Sequence, residues 1–285
     1  DDDASHYITG LWLRDYAASL VTHGWTSPLA YLRDYHSHYP LLGIGHWGPF
    51  YYLVEGVWFS VFGASRTAVL ALAAVVTALT AALLYAVIAR NVGRIPAAAG
   101  ALMLAASPLT VASTGSLMLD MPVACLALAA GIAYTAYLSG GRTSAAFAFA
   151  ACAAAAILIK GNGIALALVP PLAVLITRRF ALLRQPSFWL PALVVGLAAG
   201  PWTLLTYNLV AQGFRYQWGW QYVADAVPFY LEAFALGLGW PVAVLGLLGL
   251  VLVIATPRPR PAEAAMAALL LAFVLFTFLA PAALQ

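Results

Sequence analysis

The sequence predicts an all-α protein, a polytopic transmembrane helix bundle with a large exterior first loop. Three observations carry that expectation. Hydrophobic residues make up 64% of the 285 and charged residues only 8%, where a soluble domain carries about 25% charged, and the mean hydropathy is +0.91. Apolar runs recur at lengths near the roughly 20 helical residues that cross a hydrocarbon core of about 30 Å. The basic residues gather in alternate short connections, as the positive-inside rule requires of a multi-pass protein. No strand pattern, phosphate-binding glycine loop or nucleotide-binding domain is visible, so a cytosolic sugar nucleotide fits the chain poorly. The net charge of +3 reads as a topology signal and not as a nucleic-acid footprint.

Residues 1–48 are too polar to span. They hold all five histidines, His6, His23, His36, His38 and His46, with Trp12, Trp25 and Trp47. The series Tyr7, Leu11, Leu13, Tyr16, Leu20 suits a helix lying at the membrane interface, where Trp and Tyr rings are favoured. Gly43 to Pro49 reads as a loop, and Phe50 to Phe62 as an apolar helix too short to cross. Residues 1–66 therefore form one unit, an exterior loop with interfacial helices, and 67–285 a bundle of about eight spans. The spans are expected at 67–89, 96–113, 121–138, 145–159, a continuation past Lys160 to 177, 188–210, 233–255 and 264–282. The fourth and fifth meet at the polar turn Lys160-Gly161-Asn162-Gly163.

With the first segment outside, Arg90, Arg94, Arg142, Arg178, Arg179, Arg184, Arg258 and Arg260 all fall on the cytoplasmic side. Lys160, Arg215 and every acid except Glu263 fall opposite. A loop delivered to the exterior needs a crossing ahead of it, so at least one helix is expected upstream of Asp1, and the intact protein is expected to extend beyond both ends. Cys125 and Cys152 lie within apolar spans, where small thiols pack well; no disulfide framework or metal finger is indicated.

Charges at a membrane edge are costly and are functional candidates by default. Asp1, Asp2 and Asp3 open the chain, Asp120 stands at the mouth of a span, and Lys160, the only lysine, interrupts another. Each has a plainer reading. An acidic run at a chain start is commonly a solvated tail, Asp120 suits an N-cap with Pro122 in the first turn, and Lys160 can snorkel to the interface. Arg215, in the exterior loop 211–229 among Tyr216, Trp218 and Trp220, can bind lipid headgroups or stack on a ring. His36 and His38 lack the i, i+4 spacing of a helical zinc pair. Asp1 to Asp3 with Asp120 have the oxygen donors of a divalent-cation site, but no metal or other cofactor is assigned. Glu55, in Tyr52-Leu53-Val54-Glu55-Gly56, faces a polar cleft if its helix is amphipathic.

Several of these residues also carry a family resemblance. Asp2-Asp3-Ala4-Ser5-His6-Tyr7 resembles the Asp-Glu-Ala-x-Tyr signature in the first exterior loop of glycosyltransferase family 39 and its bacterial relatives. These are the protein O-mannosyltransferases, the lipid A aminoarabinose transferases and the galacturonosyltransferase-like proteins of the glycosyltransferase C superfamily. His46-Trp47-Gly48-Pro49-Phe50-Tyr51-Tyr52-Leu53, closed by Val61-Phe62-Gly63, resembles their acid-(His/Lys)-Pro-Pro-Leu-x-Tyr segment and its Phe-Gly. Leu119-Asp120-Met121-Pro122 is similar to their Leu-Asp-x-Pro, Ile159-Lys160-Gly161 to their Thr-Lys-Gly, and Pro201-Trp202 to a later Pro-Trp. The motifs run in order on one predicted face. Departures are His46 in place of the acid, Gly48 in place of the first proline, and Asp3 in place of Glu.

The resemblance implies a membrane-embedded hexosyl- or pentosyltransferase of the cell envelope. It moves a sugar from a polyprenyl-phosphate donor to a hydroxyl on a lipid, a cell-wall glycan or a protein, at the exterior or periplasmic face of a bacterial plasma membrane. Such a reaction needs a base, a cation for the departing phosphate, and access for the carrier lipid. Asp2 is the candidate base, because a carboxylate in a water-poor cleft titrates closer to the working pH; Asp3 orients it or binds sugar hydroxyls. Lys160 and Arg215 are candidates for the donor phosphate, and Asp120, His46 and Glu55 for positioning donor or acceptor. The reading from a different class is a multi-spanning transporter or lipid-carrier flippase, whose marks are midplane charges on broken helices and an internal repeat.

Overall fold

The computed structural model describes residues 2–211 and 219–280. Fourteen α-helices follow one another with no strand among the described residues: α1 (Asp2–Thr22), α2 (Pro28–His38), α3 (Phe50–Phe62), α4 (Arg66–Asn91), α5 (Arg94–Ala106), α6 (Pro108–Thr114), α7 (Asp120–Gly140), α8 (Thr143–Ile157), α9 (Val169–Thr177), α10 (Pro186–Ala198), α11 (Gly200–Ala211), α12 (Trp220–Leu238), α13 (Trp240–Ala255) and α14 (Pro261–Leu279). Two 3-10 helices, Gly161–Leu168 and Phe180–Arg184, sit on either side of α9.

Three helices, α4, α7 and α14, are each long and apolar enough to cross a membrane unbroken. Three bent pairs are long and apolar enough only when their two helices are taken together, α5 with α6 at 58°, α10 with α11 at 57° and α12 with α13 at 112°. The breaks have local causes. Ser107 accepts from the Thr110 amide and caps α6 with Pro108 in its first turn, Pro201 follows Gly200, and Gly239 takes φ +80° just ahead of Pro241. Proline has no N–H to continue the preceding helix, so the axis turns where it enters. This corrects the expected spans. The segments 96–113, 188–210 and 233–255 are not continuous helices, and 220–229 is the first half of α12 rather than loop. The segments α8 and Gly161–Thr177 are apolar but shorter.

The bundle is assembled around α7, which packs against α4, α8 and α14. Its contacts are made by small residues: Ala127, Ala130 and Gly131 on α7, Ala146, Ala150, Ala153 and Ala156 on α8, and Ala264, Ala265 and Ala268 on α14 are all buried. In lipid no hydrophobic force favours one helix contact over another, so close backbone approach through small residues supplies the attraction. Tyr134 packs on Phe149 of α8 with ring centroids 5.0 Å apart, and Tyr137 packs on Tyr134.

The two ends of the bundle differ in chemistry. At one end, the Arg179 guanidinium donates to the Leu138 carbonyl at 2.6 Å and that of Arg260 to the Asn91 carbonyl at 3.5 Å. These bonds gather the connections that carry the arginines. At the other end, α1 and α3 pack together over the start of α4, with the Tyr7 hydroxyl donating to the Ala64 carbonyl at 2.7 Å and the Trp58 indole to the Ala68 carbonyl at 2.8 Å. At its 13 residues, α3 is about 20 Å long at 1.5 Å per residue, too short to cross.

The polar turn between α8 and α9 tests whether close packing or local flexibility positions Lys160. A Cβ at Gly163 would lie 2.6 Å from the Ala156 backbone carbon, while one at Gly161 meets nothing within 4 Å. Gly163→Ala is expected to lower stability by about 1–3 kcal/mol, and Gly161→Ala to be near neutral, as measured by thermal unfolding in detergent. Equal behaviour of the two variants would contradict the packing.

Candidate functional site

The polar residues at the α1–α3 end converge through one backbone contact. The Gly48 amide donates to the Ile159 carbonyl at 3.3 Å and the Phe50 amide to the Leu158 carbonyl at 2.9 Å. These bonds lay the 43–49 loop over the C-terminus of α8, directly before Lys160. A Cβ at residue 48 would run into the Leu158 carbonyl, and proline there would lack the donated N–H. Glycine at this position is therefore a packing requirement. On its other side the loop is tied to α1, because the Gly43 amide donates to Thr9 Oγ1 at 3.1 Å while that hydroxyl donates to the Ser5 carbonyl.

Lys160 and Asp120 form an ion pair at 2.7 Å, Nζ to Oδ1, with side chains 35% and 51% exposed. Asp120 is the first residue of α7 and makes no capping bond; Leu119 holds the N-cap position. A carboxylate in the first turn is favoured by the helix dipole, and here it also anchors the ammonium. A half-exposed pair contributes little stability, about 0–1 kcal/mol. Its chemical value lies in fixing one ammonium, with N–H groups to spare, at the membrane edge.

Asp2 and Asp3 lie in the first turn of α1. Asp2 is exposed, so the described residues do not give it the water-poor surroundings expected of it; Asp3 is half-buried and its Oδ1 is enclosed without a partner. One turn on, His6 is 2% exposed. Its Nδ1 lies 2.8 Å from the Tyr52 hydroxyl, and its ring meets Trp47 edge-on at 4.5 Å. Burial lowers its pKa to about 4, opposed by the charge of Asp2, reinforced by that of Lys160 and opposed again by that of Asp120. The ring thus lies in the field of all three charges. His6 is not among the candidate site residues expected from the sequence, although its i, i+4 spacing from Asp2 on a helix is the signal that marks it.

Two other candidates are placed differently. Glu55 does not face a cleft. It is 0% exposed, because α1 crosses α3 where glycines allow close approach, and a Cβ at Gly10 would lie 2.7 Å from Glu55 Oε2. Neither carboxyl oxygen has a hydrogen-bond partner among the described residues, and burial pushes its pKa well above the usual carboxylate range. His46 is exposed at the loop, its ring 6.0 Å from that of Trp47. Asp1 and Arg215 lie outside the described residues. Among the described residues no three His, Cys, Asp or Glu side chains come together as metal ligands.

Residues 46–204, which include the loop, Asp120 and Lys160, match the family described as dolichyl-phosphate-mannose-protein mannosyltransferase. The chain belongs to that family. It is a multi-pass membrane protein of the glycosyltransferase C superfamily. The crystal structure of ArnT from Cupriavidus metallidurans bound to undecaprenyl phosphate shares its fold, with a TM-score of 0.60, 22% identity, and coverage of 84% of this chain and 47% of that one. The chain thus spans about half the length of that structure. No curated protein sequence matches it significantly.

Burial of Glu55 has a pH signature. A carboxyl whose folded pKa is raised stabilises the fold fully below its unfolded pKa of about 4.3, and that contribution is lost as pH rises through the folded value. The gain in stability of Glu55→Gln over the native chain should therefore be smallest near pH 4 and widen towards pH 7.5, read by thermal unfolding. A gap that does not change with pH would place Glu55 in contact with water.

Proposed function

We propose that the protein is a membrane glycosyltransferase that moves a sugar from a polyprenyl-phosphate carrier to an acceptor hydroxyl on the exterior face. Residues 1–66 act as the exterior catalytic segment and the bundle from residue 67 onward holds the donor. The observation that carries this reading is the convergence of the α1 acids with the Lys160–Asp120 pair through the 43–49 loop. Family membership supports transfer from a lipid-linked sugar, and the carrier bound to ArnT supports a polyprenyl phosphate. The arginine-bearing connections at the opposite end support an exterior site by the positive-inside rule.

In this reading Lys160 binds the donor phosphate, a role for a compact ammonium, and Asp120 keeps it in place. As the glycosidic C–O bond breaks, charge grows on the phosphate oxygen, and a cation already oriented there stabilises it without reorganising. Asp2, exposed and one helical turn from His6, takes the acceptor's proton as the hydroxyl attacks the anomeric carbon. Asp3, with one enclosed oxygen, orients the sugar. The transporter reading requires charges near the bilayer midplane; the Lys160–Asp120 pair instead sits at the bundle end beside the short α3.

Proteoliposomes test the proposal by comparing sugar transfer from a polyprenyl-linked donor with solute uptake in the same vesicles. Transfer without uptake is expected. Asp2→Asn keeps the shape and removes the proton acceptor, so transfer should fall roughly a hundredfold or more while carrier binding is maintained. Normal transfer by Asp2→Asn would remove it as the base, and uptake without transfer would favour the transporter.

A further inference from the structure

We infer that His6 is a donor-binding residue, its Nε2–H supplying a neutral hydrogen bond to a phosphate oxygen of the polyprenyl carrier beside Lys160. The inference rests on the glycosyl-transfer reading of the same site and adds a group that reading does not use. Geometry carries it. Tyr52 is fully buried, and the single hydrogen bond of its hydroxyl among the described residues is the one to His6 Nδ1 at 2.8 Å. If Nδ1 carried the proton, the Tyr52 hydroxyl hydrogen would be buried without an acceptor, a penalty of about 1–3 kcal/mol. Tyr52 therefore holds the imidazole as the tautomer with Nδ1 accepting and Nε2 protonated. Nε2 has no hydrogen-bond partner among the described residues.

The surroundings indicate what that N–H meets. Asp2 precedes His6 by four residues on α1, Trp47 packs edge-on against the ring, and the residue after Trp47 is bonded to the carbonyl just before Lys160. His6 is thus linked to the turn that carries Lys160 through Trp47 and Gly48. Neutrality matters there. A protonated His6 would pair with Asp2 and weaken it as a base, whereas a neutral donor contributes to phosphate binding and leaves the carboxylate free. Burial lowers the pKa of the ring to about 4, so the ring is neutral near pH 7.

The test titrates the protein in phosphatidylcholine nanodiscs with undecaprenyl phosphate, using nitrogen-15-labelled histidine and His6→Phe to assign the signal. The expected result is an Nε2–H tautomer for His6 before addition and a shift of its Nε2 resonance on addition, with the exposed His36 unchanged. His6→Phe should weaken carrier binding by about tenfold to a hundredfold, the range for a hydrogen bond to a charged group. Tyr52→Phe keeps the ring buried but frees the tautomer and should weaken binding as well; it decides the matter if His6→Phe does not fold. Lys160→Gln separates the two claims. If Lys160→Gln loses the carrier while His6→Phe and Tyr52→Phe bind as the native chain does, the His6 inference is overturned and the glycosyl-transfer reading stands. If none of the three loses the carrier, both are overturned.

Discussion

The contact of Gly48 with the last turn of α8 is the constraint on which the candidate site depends. It is a backbone contact, with two amides donating to the Leu158 and Ile159 carbonyls and no room for a side chain at 48. Helix C-termini leave carbonyls without intrahelical partners, and here the loop satisfies two of them. The same bonds bring α1 and α3, which do not cross the membrane, into register with Lys160, which belongs to the bundle. The bundle alone places the ammonium, and this loop ties α1 to the turn that carries it.

Burial divides the ionisable groups of that region into two kinds. His6 and Glu55 are enclosed between α1 and α3, where burial disfavours the charged form of each, the first with one bond to Tyr52 and the second with none among the described residues. Asp2, Asp120 and Lys160 stay at the surface of the bundle end, where charge is affordable in free energy and available for chemistry. An uncompensated charge between two packed helices would cost several kcal/mol, so the arrangement keeps charge where a substrate can reach it. Glu55 remains an enclosed carboxyl with no hydrogen-bond partner among the described residues.

Much of the fold was legible in the sequence because a membrane protein writes its helices as long apolar runs. The short helix Phe50–Phe62 and the polar turn at Lys160 are visible in composition alone. The bends were less legible. Gly239 and Pro241 are present in the sequence, but apolar character runs straight through them, so the 112° turn between α12 and α13 leaves no gap in hydropathy. Site residues followed the same division. Asp120 and Lys160 stand out because charge is rare there, whereas His6 and Tyr52 matter through a bond between residues 46 apart, which no local pattern records. A cleft-facing Glu55 depends on one face of its helix staying open, and the glycines at 10 and 56 let α1 cover that face instead.

The central claim is that Lys160 is the cation that meets the carrier phosphate. The chain contains one lysine, so an amine-selective reagent that discriminates side chain from N-terminus reports on that ammonium alone. Labelling of Lys160 in nanodiscs, with and without a polyprenyl phosphate, is the direct measurement. Protection that grows with carrier concentration, and is not produced by a neutral polyprenol of the same length, is the predicted result. Labelling at the same rate with and without the phosphate would contradict the account and leave Lys160 as a membrane-edge lysine paired to Asp120.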